Sequence, residues 1–210
     1  MSAACRVRQR FPRANRARSR AALLTAGAAV AALVLTACGS GGTHGGSGNT
    51  NFVAGKNGVD TVAKGERATV PDLSGKTVDG KRIDVDDYRG KVVVLNVWGS
   101  WCAPCRAEAE NFEKVYQDTK KQGVQFVGIN TRDPGTAAAK AFEKEHGITY
   151  PSLYDPTGRL MLRFKKGTLN PQLIPSTLVV DRDGKVAART LQALSEDRLR
   201  KMLAPVLAEK

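Results

Sequence analysis

Cys102 and Cys105 stand three residues apart, directly after the apolar run Val92-Val93-Val94-Leu95-Asn96-Val97-Trp98. Such a run reads as a strand buried on both faces, and the residues after the cysteines fall at helical spacing. The pair therefore belongs at the mouth of a helix, where unpaired backbone N–H groups favour a thiolate. Spacing of i, i+3 brings the second sulfur within reach of the first, so a disulfide can open and close with little backbone movement. That is redox chemistry.

The other two cysteines lie near the N-terminus. Residues 1–20 carry seven arginines and no acid, and residues 21–37 are a run of Ala, Leu and Val broken only by Gly and Thr. A basic region, an apolar region and small residues before a cleavage point describe an export signal. Its end, Leu35-Thr36-Ala37-Cys38-Gly39, looks like a bacterial lipoprotein box, in which cutting before Cys38 leaves a cysteine that carries lipid. The alternative is an uncleaved anchor, for which the run is at the short edge of a spanning helix. Either way the arginines keep the N-terminal side in the cytoplasm and the rest of the chain outside. Cys5 is then discarded, which leaves Cys102 and Cys105 as the thiols of the folded part. One pair closing so short a loop is no structural framework. A closed zinc site wants four ligands, and His44 and His146 stand apart; His146 reads as a solvated helix residue, so no metal is expected. Loss of residues 1–37 also cuts the net charge from +13 to +6, with 26 basic and 20 acidic residues left. The nucleic-acid reading of a basic chain weakens accordingly.

Residues 38–58 form a Gly-rich tether, spanning on the order of 25 Å if coil-like. Residues 59–210 have the composition and size of one domain with a full core. Within it a short alternating strand near 81–85 precedes the buried run. A helix carries Ala109, Phe112, Val115 and Tyr116, and Gly123 stops it. Residues 124–129 read as a second buried strand, 137–145 as a helix ended by Gly147, and 150–154 as a strand before the turn Asp155-Pro156-Thr157-Gly158. A short helical piece near 160–164 comes next. Residues 177–180 and 185–188 flank Asp181-Arg182-Asp183-Gly184, a hairpin signal. Ser195 caps a last helix with Leu199, Met202, Leu203 and Val206 on one face.

From about Thr69 onward the chain resembles the thioredoxin fold, an α/β architecture with a central mixed sheet flanked by helices. More narrowly, it looks like the TlpA/ResA group of membrane-tethered thiol–disulfide oxidoreductases. The carriers are Gly90-Lys91, Asn96-x-Trp98-x-x-Trp101-Cys102-x-Pro104-Cys105-Arg106-x-Glu108, Pro151-x-x-x-Asp155, Ile174-Pro175-Ser176-Thr177 and Asp181-x-Asp183-Gly184. The resemblance implies a catalytic set of Cys102, Cys105, Glu108 and Pro175. Cys102, nearer the helix start, is the expected exposed nucleophile, and Cys105 the buried thiol that resolves the mixed disulfide. Pro175 matches a cis-proline that lies against the active pair and keeps an edge free for substrate backbone. Trp101, Ile174 and Thr177 are expected in the substrate groove. Glu108 matches a glutamate that modulates the cysteines' proton chemistry, the alternative being a solvated acid on the helix surface. Asn96 stands where thioredoxins proper keep a buried acid. Between Asp155 and Pro175 the chain is a few residues longer than the family spacing, with Asn170-Pro171-Gln172 extra, and Glu110 falls where the family often has proline.

Ala103-Pro104 puts no charged or ring donor between the cysteines. Less thiolate stabilisation favours the disulfide, and so makes the reduced form the better electron donor. The expectation is a lipid-anchored reductase of disulfides in exported proteins, on the outer face of the plasma membrane and without a cofactor. The resemblance implies apocytochrome c or a copper-delivery protein as substrate, in the setting of cytochrome c maturation, and an integral membrane thiol carrier as electron donor. An oxidase or isomerase is the alternative enzyme. A non-catalytic Cu(I)-binding module is the alternative outside enzymes, since two thiolates suit a soft ion.

Overall fold

A computed structural model describes residues 50–209. Cys5, Cys38, His44 and the expected signal and anchor lie outside them. The strands are β1 (Val53–Ala54), β2 (Val59–Thr61), β3 (Ser74–Lys76), β4 (Arg82–Asp84), β5 (Val92–Trp98), β6 (Val124–Thr131), β7 (Ser152–Asp155), β8 (Ser176–Val180) and β9 (Val186–Thr190). The helices are α1 (Ala103–Thr119), α2 (Thr136–Glu145), α3 (Arg159–Leu162) and α4 (Glu196–Ala208).

Seven strands form one mixed sheet in the order β1-β2-β9-β8-β5-β6-β7, and β3 with β4 makes a separate hairpin. β5 runs parallel to β6 and antiparallel to β8, and β6 runs parallel to β7. All seven residues of β5 are buried, the pattern a central strand takes when both faces are covered. Its alternate residues serve two cores. Val92 and Val94 pack with Phe112 and Val115 of α1 and Leu199, Met202 and Leu203 of α4. Val93, Leu95 and Val97 face Leu73 and Val85 from the preceding segment and Leu160 and Met161 of α3. Each such aliphatic side chain contributes about 1.5–3 kcal/mol by leaving water. Gly123, at φ 81, ends the turn after α1 in a left-handed conformation that a side chain would oppose.

Two expectations are corrected, and one open stretch is defined. The tether does not run to residue 58: Val53 and Ala54 pair with β2, which itself pairs with β9. What holds this edge is Arg189 of β9, whose Nε donates to Asp60 Oδ2 at 2.9 Å and whose guanidinium lies 4.1 Å from the Phe52 ring centroid. His146 is not solvated; its ring packs 4.6 Å from that of Phe142, with Nδ1 3.7 Å from Glu110 Oε1. The longer stretch before Pro175 is folded: Asn170 turns the chain by accepting from Leu173 N and Gln172 N, and Thr168 O accepts from Arg189 Nη1 at 3.1 Å.

Candidate active site

Cys102 is the residue that caps α1. Its Sγ accepts from the Cys105 N–H at 3.3 Å, and the two sulfurs are joined in a disulfide with Cα atoms 5.2 Å apart. The helix exists from Ala103 because Pro104 fits the first turn, where its missing N–H costs nothing. A sulfur at this position faces an unpaired donor and the positive end of the helix dipole, both of which favour its thiolate. Cys105 sits among Trp98, Ala109, Ala139 and Phe142, apolar surroundings that disfavour a charged sulfur. The N–H donor at the helix start thus falls to Cys102 and not to Cys105.

The expected exposure of Cys102 is corrected. It is 3% exposed in the disulfide, packed in the same cluster as Cys105 with Ile174 against it. The Ile174–Pro175 bond is cis. β8 pairs Ser176 with Val97 and Thr177 with Asn96, which brings Pro175 level with Trp98 and next to the cysteine loop. Thr177 is corrected as a groove residue: it is fully buried, with β5 on one side and β9 on the other. Its Oγ1 instead accepts from Asn96 Nδ2 at 3.3 Å.

Glu108 lies one turn beyond Cys105 and is 2% exposed. The surface alternative is therefore excluded. Its Oε1 accepts from Asn96 Nδ2 at 2.9 Å and its Oε2 from Leu194 N at 2.9 Å. Burial pushes the carboxyl from 4.5 up to about 7, while the two hydrogen bonds pull it back down.

Ser100, Asn130, Arg132 and Asp133 were missed by sequence reasoning. Asp133 is buried and accepts from Ser100 N at 3.0 Å, Ser100 Oγ at 2.6 Å and Asn130 Nδ2 at 2.6 Å. It thereby clamps the loop before the cysteines to the end of β6. Gly99 lets the Trp101 indole lie on the backbone; a Cβ there would meet Trp101 Nε1 at 2.7 Å and Thr131 O at 3.0 Å. Trp101 remains half exposed, and the Arg132 guanidinium stacks 4.4 Å above its ring. No spacing pattern announces these residues, because they meet only when β5 and β6 pair.

The unequal thiols give a direct test. In a Cys105→Ser variant, Cys102 should alkylate faster than a free thiol of pKa about 8.5 does at neutral pH. Slow reaction there, with fast reaction at Cys105 in the reciprocal variant, reverses the assignment.

The AhpC/TSA family pattern matches residues 67–189. Thiol-disulfide oxidoreductase ResA of Geobacillus kaustophilus is 34% identical over 137 residues, covering 65% of this chain and 72% of that protein. Among solved structures, a DsbF homologue from Corynebacterium diphtheriae superposes with a TM-score of 0.66 at 34% identity, covering 72% of this chain and 94% of that one. A secreted thiol-disulfide isomerase from Corynebacterium glutamicum gives 0.68 at 29% identity, over 73% and 94%. With a linked cysteine pair capping α1 and a cis-proline beside it, the chain belongs to the AhpC/TSA thioredoxin-like family as a thiol–disulfide oxidoreductase of the ResA type.

Proposed function

We propose that this oxidoreductase works as a reductant outside the cytoplasm, tethered through lipid on Cys38. The observation that carries the direction is the short donor supply at Cys102. Its Sγ has the Cys105 N–H, and neither Ala103 nor Pro104 supplies a side-chain donor. Without a charged or ring donor between the cysteines the thiolate is stabilised less than in a strong oxidant, which leaves the disulfide favoured and the dithiol a good donor of electrons. In the cycle, the Cys102 thiolate attacks a substrate disulfide and expels one substrate thiolate. Cys105 then attacks Cys102, releasing the second. The substrate gains two electrons, and the protein is left with the Cys102–Cys105 bond.

By resemblance to the TlpA/ResA group, the substrates are the haem-binding cysteines of apocytochrome c or the thiols of a copper-delivery protein. An integral membrane thiol carrier would restore the dithiol. Glu108 is the proton-handling group of this reading, since its carboxyl exchanges near neutral pH and lies one turn from Cys105. A second reading, isomerase, is favoured by the name of the Corynebacterium glutamicum neighbour.

Equilibration with a glutathione buffer separates them. The pair's potential should lie nearer −270 mV than −120 mV, roughly the thioredoxin and strong-oxidant values. A potential above about −180 mV, the isomerase value, overturns the reductase reading.

Glu108 has its own test. The folded chain holds the proton up to about 7, whereas the unfolded chain releases it near the ordinary 4.5. Between those values the folded state binds more protons, so this stability is complete below the lower value and is lost as pH rises through the upper one. Relative to Glu108→Gln, the wild type should therefore lose about 3 kcal/mol of unfolding free energy across that window. Urea titrations that stay parallel with pH would contradict this. The same variant should lower the apparent thiol pKa, because an ionised carboxylate opposes a second negative charge. An unchanged thiol titration leaves Glu108 a purely structural residue.

For the anchor, mass spectrometry of the cell-derived protein should find Cys38 at the N-terminus carrying lipid. An unmodified Cys38, or a chain that keeps residues 1–37, ends that part of the proposal.

A further inference from the structure

Arg132 is held in place by more of the fold than its contacts within the chain explain. It is a non-glycine residue at φ 59, in the left-handed region that an Arg side chain disfavours. Thr131 on one side and Asp133 on the other are both buried. Asp133 fixes the turn through Ser100 and Asn130, and its backbone oxygen accepts from Tyr154 Oη at 3.1 Å. Between these anchors the Arg132 side chain is turned out to the surface and laid on Trp101, the residue next to Cys102.

The guanidinium gains no carboxylate by this. Arg106 pairs with Glu145, Arg163 with Asp72 and Arg200 with Asp118, but no acid among the described residues pairs with Arg132. Stacked flat on an indole, a guanidinium keeps its edge N–H donors free, and that edge matches a carboxylate bidentately. The segment that leads into Ile174–Pro175 is also basic, although its Arg163 is the one paired with Asp72. Residues 156–180, which lead into and past Ile174–Pro175, carry Arg159, Arg163, Lys165 and Lys166 and no acid. This stretch starts beside Arg132, because Thr131 is paired with Asp155 in the sheet. It also presents Leu162 and Leu173 to solvent, at 69% and 44% exposure.

We infer that the Trp101–Arg132 pair is a specificity site that reads a carboxylate side chain beside the reacting cysteine of a polypeptide substrate. The partner's surface around its disulfide is then acidic. This rests on the reading of Cys102 and Cys105 as acting on polypeptide disulfides, in either direction. Arg132 is a positioning residue: it binds the substrate while Cys102 is joined to it and takes no part in the sulfur exchange.

The test uses the full chain and three disulfide peptides that differ only at the residue next to the reacting cysteine, which is Glu, Gln or Lys. Exchange rates with the reduced protein are divided by each peptide's rate with glutathione, which removes the peptide's own reactivity. The Glu peptide should be preferred over the Lys peptide by about fivefold, the scale of an exposed ion pair. That preference should shrink as salt shortens the Debye length from about 30 Å at 0.01 M to about 3 Å at 1 M. Arg132→Glu should invert it, and Arg132→Lys should keep part of it. A wild-type ratio near one, or one indifferent to salt, overturns the inference without any variant being needed. An unchanged ratio in Arg132→Glu does so as well. A folded protein that exchanges with none of the three peptides defeats the polypeptide-disulfide reading itself, whereas exchange without discrimination defeats the specificity site alone.

Discussion

The Glu108 carboxyl lies between β5 and the chain entering α4, and its two oxygens take one hydrogen bond from each. A buried carboxyl is costly unless it is bonded or protonated, and this one is both bonded and pushed toward the neutral form. The consequence is geometric. α1 carries the cysteines, Asn96 belongs to the central strand, Thr177 is the second residue of β8 after the cis-proline, and Leu194 precedes α4. The chain of bonds Leu194–Glu108–Asn96–Thr177 therefore fixes the helix of the sulfurs against the strand beside the proline. Displacing any member leaves a buried polar group without its partner, which costs about 1–3 kcal/mol. The side chain that ties these elements together is also one whose carboxyl burial pushes up to about 7.

A second buried carboxylate does the corresponding work on the other flank. Asp133 joins the loop before the cysteines to the end of β6, as Glu108 joins the helix after them to β5. The Cys-x-x-Cys segment is thus held at both ends by acids that lie behind it, while the rim in front presents Trp101, Arg132, Leu173 and Ile174. The acids are inside and hydrogen-bonded; positive charge is outside and, at Arg132, unpaired by any described acid.

What was legible in the sequence was local. The apolar run of β5, the glycine after α1, the Asp-Gly turn of the hairpin and the Ser195 cap each depend on a few consecutive residues, and each occurs where it was read. The cysteine pair and the proline were legible because their order along the chain is specific. Glu108 was read correctly as near the cysteines, but its burial was open, since that depends on Leu194, 86 residues further on. Thr177 was misplaced because strand alternation does not reveal that both edges of β8 are occupied. Strand β1 was taken for tether because it is held only through β2, which Arg189, 129 residues beyond Asp60, fixes. Arg132 gave no signal, as a left-handed arginine follows from the clamp around it and not from its neighbours in sequence.

The buried state of the sulfurs constrains how a substrate can approach. Cys102 is only 3% exposed in the disulfide, and Ile174 packs against the cluster that holds it. From Ser176 onward the backbone is consumed by β5 and β9, and Pro175 has no N–H to give. Leu173 uses its N–H on Asn170 and its C=O on the Ser176 hydroxyl. At Ile174, neither the N–H nor the C=O has a partner among the described residues. On the reading that substrate backbone pairs at this edge, it can do so at one residue. A single backbone pairing is a weak hold, so on the specificity proposal selectivity rests on side chains, and Trp101, next to Cys102 in the chain, carries Arg132 over its ring.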